Sequence, residues 1–566
     1  MYTDVLDKHA PMKSTRRHPK HAPFMNCELR KARNVKAMLR RKYDKYPSNS
    51  NWEYYRKQRN YVTKLRNKSI RQYFSKNCDI DKSSTKFWKI IKPFMSQKPS
   101  PQNGCITLFD NEKIVNDPKE VCNIFNSHFA SCANHIGCSD PISDSECMNS
   151  ISDSFETHPS ILSINEEKNS SSFQFDEIDI DQVSKLLSNI NIKKSTGSDK
   201  VSPRLLKLSA TVISKPLTSL INMSIRTNTF PDTLKRAEVS PLFKKDDSMN
   251  KINFRPVSIL SGISKIFERV YSDQMTDFFN SILSISLAAF RKSFSCETVL
   301  VKLIEDWKAL LDKQQVVGAM LLDLSKAFDC LPHRLLLAKL KAYGFTENAC
   351  NLIFSYLLNR KQRVKIGDSR GEWLNLIKGV PQGSILGPLL FNIFLNDIFY
   401  SINGLYNYAD DNTISRHGET VSIVKNQLED ATKCALRWFS DNEMQANPSK
   451  FQALLLGKDS DKSNISFNVE GATINPSTSV NLLGIEIDNK LNFSNHISNI
   501  CSRAGKQLSA LARLSKKLNP DTKLLIFNSF ILSNFNYCPV VWHQCSIIDS
   551  CKIIKTNHGK GYSFCV

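Results

Sequence analysis

Leu405–Ile414, LYNYADDNTI, sets apolar and aromatic residues on either side of Asp410-Asp411-Asn412. Asp and Asn favour tight turns because their short side chains hydrogen-bond the local backbone. The spacing therefore predicts a β-hairpin with two carboxylates at its tip. Upstream, Val316–Leu322 (VVGAMLL) is an apolar run too short for a helix, and it ends at Asp323. If the two segments are neighbours in one sheet, three acids meet at its edge. Clustered carboxylates repel unless a cation neutralises them, and hard divalent ions prefer oxygen ligands. An isolated Asp-Asp-Asn turn, by contrast, is an ordinary solvated tip, so the surroundings decide.

Outward from this stretch, short strands alternate with helices. A helical segment is predicted over 334–358, strands over 451–457 and 480–487, and helices from there to the end. Before it, Ile263, Ile266, Phe267 and Val270 recur at i, i+3, i+4 and i+7, the mark of an amphipathic helix over 262–280. Residues 175–208 read as helix, a loop at Lys193–Asp199, then helix. The texture predicts an α+β domain, a sheet with helices on one face.

The whole chain has 566 residues, 41% hydrophobic and 23% charged, with formal net charge +23. That excludes a mini-protein, a fibrous repeat and a wholly disordered chain. Residues 1–100 hold 26 Lys or Arg against 7 acids, and the other 466 hold 51 against 47. A basic arm implies a polyanionic partner, because each phosphate neutralised releases condensed counterions. Trp52, Tyr54, Tyr55, Tyr61, Tyr73, Phe74 and Trp88 stand among the cations, a combination suited to single-stranded nucleic acid. The arm reads as basic helices over 28–76 broken at Pro47–Ser50, and residues 139–172 as an acidic, Ser-rich linker with little capacity to form a core.

Other chemistries lack their signatures. The chain has no phosphate-cradling glycine loop of either common kind, no nucleophile elbow and no H-E-x-x-H. Its 16 cysteines include no C-x-x-C pair, and no apolar leader follows the N-terminus, which points to reduced thiols in an intracellular, cytoplasmic or nuclear protein rather than a secreted one. Leu524–Ile548 carries no charged residue but too many polar ones for a bilayer, and is predicted to be a buried helical segment. Cys538, Cys545, Cys551 and Cys565 with His543 and His558 fit no standard zinc spacing.

The acids do not stand alone. Tyr408-Ala409-Asp410-Asp411 resembles the Y-x-D-D box of reverse transcriptases, and it stands in order with further blocks of that family. These are Leu322–Asp329 (LDLSKAFD), Gly379-Val380-Pro381-Gln382-Gly383-Ser384, Phe254–Leu260 (FRPVSIL), Asn447–Lys450 (NPSK) and Leu483-Gly484-Ile485. The details resemble the polymerases of non-LTR (LINE-like) retrotransposons, and Asp7–Lys13 is similar to the stretch that follows their endonuclease. The resemblance implies a right-hand polymerase with fingers, palm and a partial helical thumb. It implies RNA-directed DNA synthesis from dNTPs on an RNA template with a DNA primer or target DNA, with two Mg²⁺ ions (Mn²⁺ as an alternative), and no membrane.

Under that resemblance Asp323, Asp410 and Asp411, with the carbonyl of Leu324, would hold the metals. Lys244 and Arg255 would meet the triphosphate, and Phe328 would exclude a 2′-hydroxyl. Gln382 and Gly383 would let backbone approach the base, with Gly379, Pro381, Ser384 and Tyr408 beside primer and template. Lys450 would be a proton donor to pyrophosphate, and Leu483-Gly484 a primer-supporting turn. One block departs from the family pattern: Ala289-Phe290-Arg291 stands where Gly-Phe-Arg is usual, and Cys296 where Thr is usual. The expected divisions are a basic helical arm (1–120), an acidic linker with short helices (121–185), fingers and palm (186–490) and partial thumb (491–566). Two other readings stay open: a catalytically dead remnant that still binds RNA, and a scaffold module using the C-terminal Cys and His.

Overall fold

The computed structural model describes residues 24–77, 87–91, 106–131, 148–167, 171–324, 326–458, 465–515, 517–543 and 545–556. They form two units, one within Asn103–Gly484 and one within Ala10–Gln102 and Ile485–Val566.

The first unit is built on two sheets. In the four-stranded sheet the order is Gln452–Leu456, Val316–Asp323, Asp411–Gly418, Leu405–Tyr408, all antiparallel. Its central strand is the VVGAMLL run, buried almost throughout. A continuous apolar run, unlike an alternating one, demands cover on both faces, and both faces are covered. A Cβ on Gly318 would meet Val424 of the Val421–Asp441 helix. Ser415, one residue before the position opposite Gly318, points to the other face, where Trp307 of the Cys296–Asp312 helix donates to its hydroxyl at 2.9 Å. The expectation of helices on one face is thus corrected. The α+β class itself stands.

The second sheet orders Phe254–Ile259, Arg236–Phe243, Lys361–Ile366 and Ser369–Arg370, with Leu374–Asn375 also on Lys361–Ile366. Its middle pair is parallel. Buried Glu238 holds three cations there, Arg363 at 2.7 Å, Lys365 at 2.8 Å and Arg370 at 3.2 Å. Burial works against its ionisation, but the three donors outweigh it and its pKa falls below the usual range.

Residues 106–131, divided in the sequence reading between arm and linker, instead cover this sheet. The Pro118–Ser131 helix packs Val121, Phe125 and Phe129 against Val239, Phe254 and Val364. The linker reading fails equally at Met148–Asp153 and Pro159–Glu166, short helices that bury Met148, Ile151 and Ile164 in the main core. A few apolar residues at i, i+3 spacing suffice there because a neighbouring helix, His333–Ala342, completes the face. Residues 132–147 lie outside the described residues. The expected 334–358 helix is two, His333–Ala342 and Glu347–Leu357, broken where Gly344 takes φ +105° and Thr346 caps the second.

A buried ion pair lies at the centre of the main core. Lys339 Nζ is 2.5 Å from Asp397 Oδ1 and 2.9 Å from the Phe394 carbonyl, and Trp438 Nε1 donates to Asp397 Oδ2 at 2.8 Å. Nothing in the sequence pattern announced it.

In the second unit the expected basic helices are Cys27–Lys45 and Asn49–Asn77, and they pair as a hairpin closed at Tyr46–Ser48. Leu29, Ala32, Val62 and Leu65 make its seam, and Gln58 bonds the Ala32 carbonyl. Of the interleaved aromatics, Tyr54 and Tyr61 are exposed, Phe74 is buried, and Trp88 packs on Phe530. Arg40 lies over Tyr43 and Tyr55. The 524–548 stretch is a series of short helical pieces, Pro520–Ile526, Phe527–Ile531, Leu532–Asn534 and Pro539–Trp542, rather than one buried segment, with Leu524, Tyr537, Val540, Ile547 and Ile548 exposed. Pro539 and the Asn residues interrupt it. Among the described residues no helix is long and apolar enough to cross a membrane.

Candidate active site

The sheet register brings the acids together. Asp411 sits directly opposite Asp323, and Tyr408 opposite Asp411 on its other side. Directly opposed side chains in an antiparallel pair share one face and lie roughly 5 Å apart at Cβ. The turn itself falls at Ala409 and Asp410, one position earlier than the hairpin reading, with Ala409 at φ +58°. Two buried asparagines brace it: Asn407 donates to the Ala409 carbonyl at 2.7 Å and to Asn412 Oδ1 at 2.9 Å, and Asn412 donates to the Asp410 carbonyl. The Asn on each side of the Tyr-Ala-Asp-Asp box thus holds the two acids out to solvent.

The protein mass around Asp411, then the Asp410 and Asp323 carboxylates, push its pKa up to about 6, and Lys244 pulls the other way. Lys450 bonds Asp323 at 3.0 Å, and the Asn447 N–H donates to the Asp323 carbonyl. The Asn447–Lys450 block is therefore docked on the first acid. Leu324 is buried and bridged to Ala446. Among the described residues no three acid, histidine or cysteine side chains converge into a finished metal cage. The donor set nonetheless fits a hard divalent cation: three crowded carboxylates, one of them already drawing an ammonium.

Lys244 follows the Arg236–Phe243 strand, and exposed Arg255 sits across from Leu242 on the next one. Phe328 stacks on Phe391 at 4.4 Å, with Phe290 edge-on at 5.8 Å, so its ring is clamped. Gly379 (φ +78°) could not carry a side chain, since a Cβ would fall 2.5 Å from the Asp329 carbonyl oxygen; at Gly383 (φ +122°) it would fall 2.6 Å from that of Ser258. Pro381 accepts from Ser384 N–H, and the buried Ser384 hydroxyl accepts from Gly387 N–H. Leu483 and Gly484 take φ +48° and +82° at the end of the first unit.

Sequence reasoning gave no role to Asp329. It is largely enclosed, and Gln382 Nε2 donates to its Oδ1 at 2.8 Å and Oδ2 at 3.0 Å. Burial pushes its pKa up to about 6, opposed by Gln382 and by Lys326. The signal available was an acid between Phe328 and the apolar Cys330-Leu331, where a carboxylate needs a partner. Phe129, from outside the recognised blocks, lines the same cleft with Pro256, Lys378 and Pro381.

His333 was missed too. Its Nε2 lies 2.6 Å from the Gly379 carbonyl oxygen. Burial drives its pKa down to about 4, with Arg360 and Lys378 adding to the effect and the Gly379 bond opposing it. In the unfolded chain it titrates near 6.5. Between those values the unfolded state binds more protons, so stability is full above about 6.5 and declines as pH falls toward 4, by up to ~3 kcal/mol. Urea melts at pH 7 and 4.5 should show this difference shrink in His333→Gln; an unchanged difference refutes it.

Residues 243–487 match the family model described as reverse transcriptase (RNA-dependent DNA polymerase). These residues are a reverse transcriptase domain. Asp323, Asp329, Asp410 and Asp411 and the glycines at 379 and 383 lie within that domain, whereas Phe129 and the helix that carries it lie outside. The chain is 23% identical to the protein named "Probable RNA-directed DNA polymerase from transposon BS" of Drosophila melanogaster, over 82% of this chain and 51% of that one. It is 25% identical to "RNA-directed DNA polymerase from mobile element jockey" of the same fly, over 61% of this chain and 39% of the other. A third relative, from transposon X-element, is 24% identical over 62% and 40%. The chain spans about half or less of these relatives' length.

Proposed function

We propose that this chain is the RNA-directed DNA polymerase of a non-LTR mobile element, extending a DNA primer 3′-hydroxyl with dNTPs on an RNA template. The observation that carries the reading is the register that sets Asp411 opposite Asp323, with Asp410 at the adjoining turn. In this reading the four-stranded sheet is the palm, the sheet holding Lys244 and Arg255 the fingers, and the helices after residue 490 a partial thumb.

Asp323, Asp410 and Asp411, with the Leu324 carbonyl, would hold two Mg²⁺ ions. When bound, such ions acidify the attacking hydroxyl and stabilise charge on the leaving pyrophosphate. Lys244 and Arg255 supply a point charge and a planar fork for the triphosphate. Phe328, clamped between two rings, is too stiff to yield to a 2′-hydroxyl. The close backbone approach at Gly379 and Gly383 keeps the 379–384 loop tight against its neighbours, so the base can lie on main chain beside Tyr408. Lys450, bonded to Asp323 at 3.0 Å, would have to release that carboxylate before it could protonate pyrophosphate.

Primer extension on poly(rA)/oligo(dT) with Mg²⁺ tests the reading. Template-dependent incorporation is expected; a protein that binds RNA but incorporates nothing would identify the remnant instead. The basic hairpin is assigned to the RNA backbone. Arg30, Lys31, Arg33 and Arg41 are exposed on it. Replacing all four by Gln should lower the salt slope of single-stranded RNA binding by up to ~3, at about 0.7 per phosphate contact. An unaltered slope removes the hairpin from the RNA site.

A further inference from the structure

A cleft of the first unit, lined by Pro256, Lys378 and the 379–382 loop, contains a carboxylate, Asp329, for which the polymerase reading has no use. Asp329 and the 379–383 loop are stitched together at several points. Gly379 N–H donates to the Leu331 carbonyl at 2.8 Å, Val380 N–H to Phe328 at 3.0 Å, and the Gln382 amide to both Asp329 oxygens. From the other side Ser258 N–H donates to the Gln382 carbonyl at 2.7 Å. The Gln382 backbone is held by one sheet and its side chain by Asp329.

That arrangement settles which way the amide faces. An ionised carboxylate only accepts, so the nitrogen of Gln382 must point at Asp329 and the oxygen away from it. Among the described residues no hydrogen bond reaches Gln382 Oε1, and Asp329 and Gln382 both line the cleft with Pro256 and Lys378. A side-chain amide without such an anchor would present either end.

We propose that Asp329 is a positioning residue that locks the Gln382 amide so that its Oε1 faces the cleft as an acceptor for a hydroxyl or amino donor of the incoming dNTP. The proposal rests on the polymerase reading and deepens it. Asp329 touches neither nucleotide nor metal; it acts through Gln382. Its contribution is orientation, so it appears in nucleotide capture more than in the chemical step.

The test is a double-mutant cycle in primer extension with Asp329→Ala, Gln382→Ala and the pair, reading KM for dNTP apart from kcat. Asp329→Ala should raise KM roughly 10- to 100-fold, the loss expected for a charge-assisted hydrogen bond, with kcat within about threefold of wild type. Asp329→Asn, which keeps an acceptor oxygen, should recover most of the loss. With Gln382 already Ala, removing Asp329 should add almost nothing. Thermal melting checks that each variant folds, and if Asp329→Ala does not, Asp329→Leu replaces it in the cycle. Effects that multiply in the pair, or a KM that stays at the wild-type value, overturn the positioning role while leaving the polymerase standing. A wild type that incorporates nothing removes the polymerase reading and the inference with it.

Discussion

Asp411→Asn is expected to abolish Mg²⁺-dependent nucleotide incorporation, by roughly 10³-fold or more, while RNA binding and folding persist. The magnitude follows from losing an anionic oxygen where divalent charge must be held, an interaction worth several kcal/mol in the transition state. Asparagine retains the shape and the backbone ladder to Asp323 and Tyr408, so the hairpin stays paired. Folding should even gain slightly. Burial, and then the Asp410 and Asp323 carboxylates, raise the pKa of Asp411, so a neutral amide there removes a cost that the ionised carboxylate carries at neutral pH. The combination of a dead enzyme with an equal or higher melting temperature separates a site residue from a structural one. Incorporation within tenfold of wild type would show that these acids do not hold the metals.

Lys339→Met is expected to destabilise the first unit by about 3–5 kcal/mol, the cost of leaving a buried charge without its partner. Lys339 and Asp397 are both fully enclosed, and the ammonium also bonds the Phe394 carbonyl and lies over the Phe394 and Trp438 rings. Methionine fills most of the volume but supplies no donor, so Asp397 keeps only Trp438 Nε1. The double replacement Lys339→Met with Asp397→Leu should recover most of the loss, because a packed apolar pair is often as stable as a buried ionic one. Urea denaturation of the three variants decides it. A single variant within 1 kcal/mol of wild type would mean that water or another cation reaches Asp397.

The legible parts of the fold share a property. VVGAMLL becomes the central strand, 262–280 the Gly262–Phe279 helix, and 28–76 a helical hairpin broken where Pro47 and Ser48 interrupt it. Each signal lies within a few turns of its own chain: apolar period, caps, breakers. The misread parts are those whose partner lies far along the sequence. Residues 148–167 looked too polar for a core because the helix that completes their face begins only at His333. The Pro118–Ser131 helix covers a sheet whose strands start at Arg236, so its apolar stripe had no visible destination. The 524–548 stretch was read as one element because apolar content outweighed Asn534 and Pro539, which break it.

By itself the sequence determined the chemistry on offer: three carboxylates at strand ends, cations and an aromatic in further blocks, glycines where backbones must approach, and a pair of cationic helices. Residue type and local period carry that information, and neither depends on what lies across the fold. Only the tertiary structure decided the pairings: Asp323 against Asp411 and under Lys450, Asp329 against Gln382, Lys339 inside a cage with Asp397 and Trp438. The physical reason is that a charge is stabilised by whichever partner packing delivers to within hydrogen-bond reach, and that choice is made by the sheet register and the helices pressed upon it.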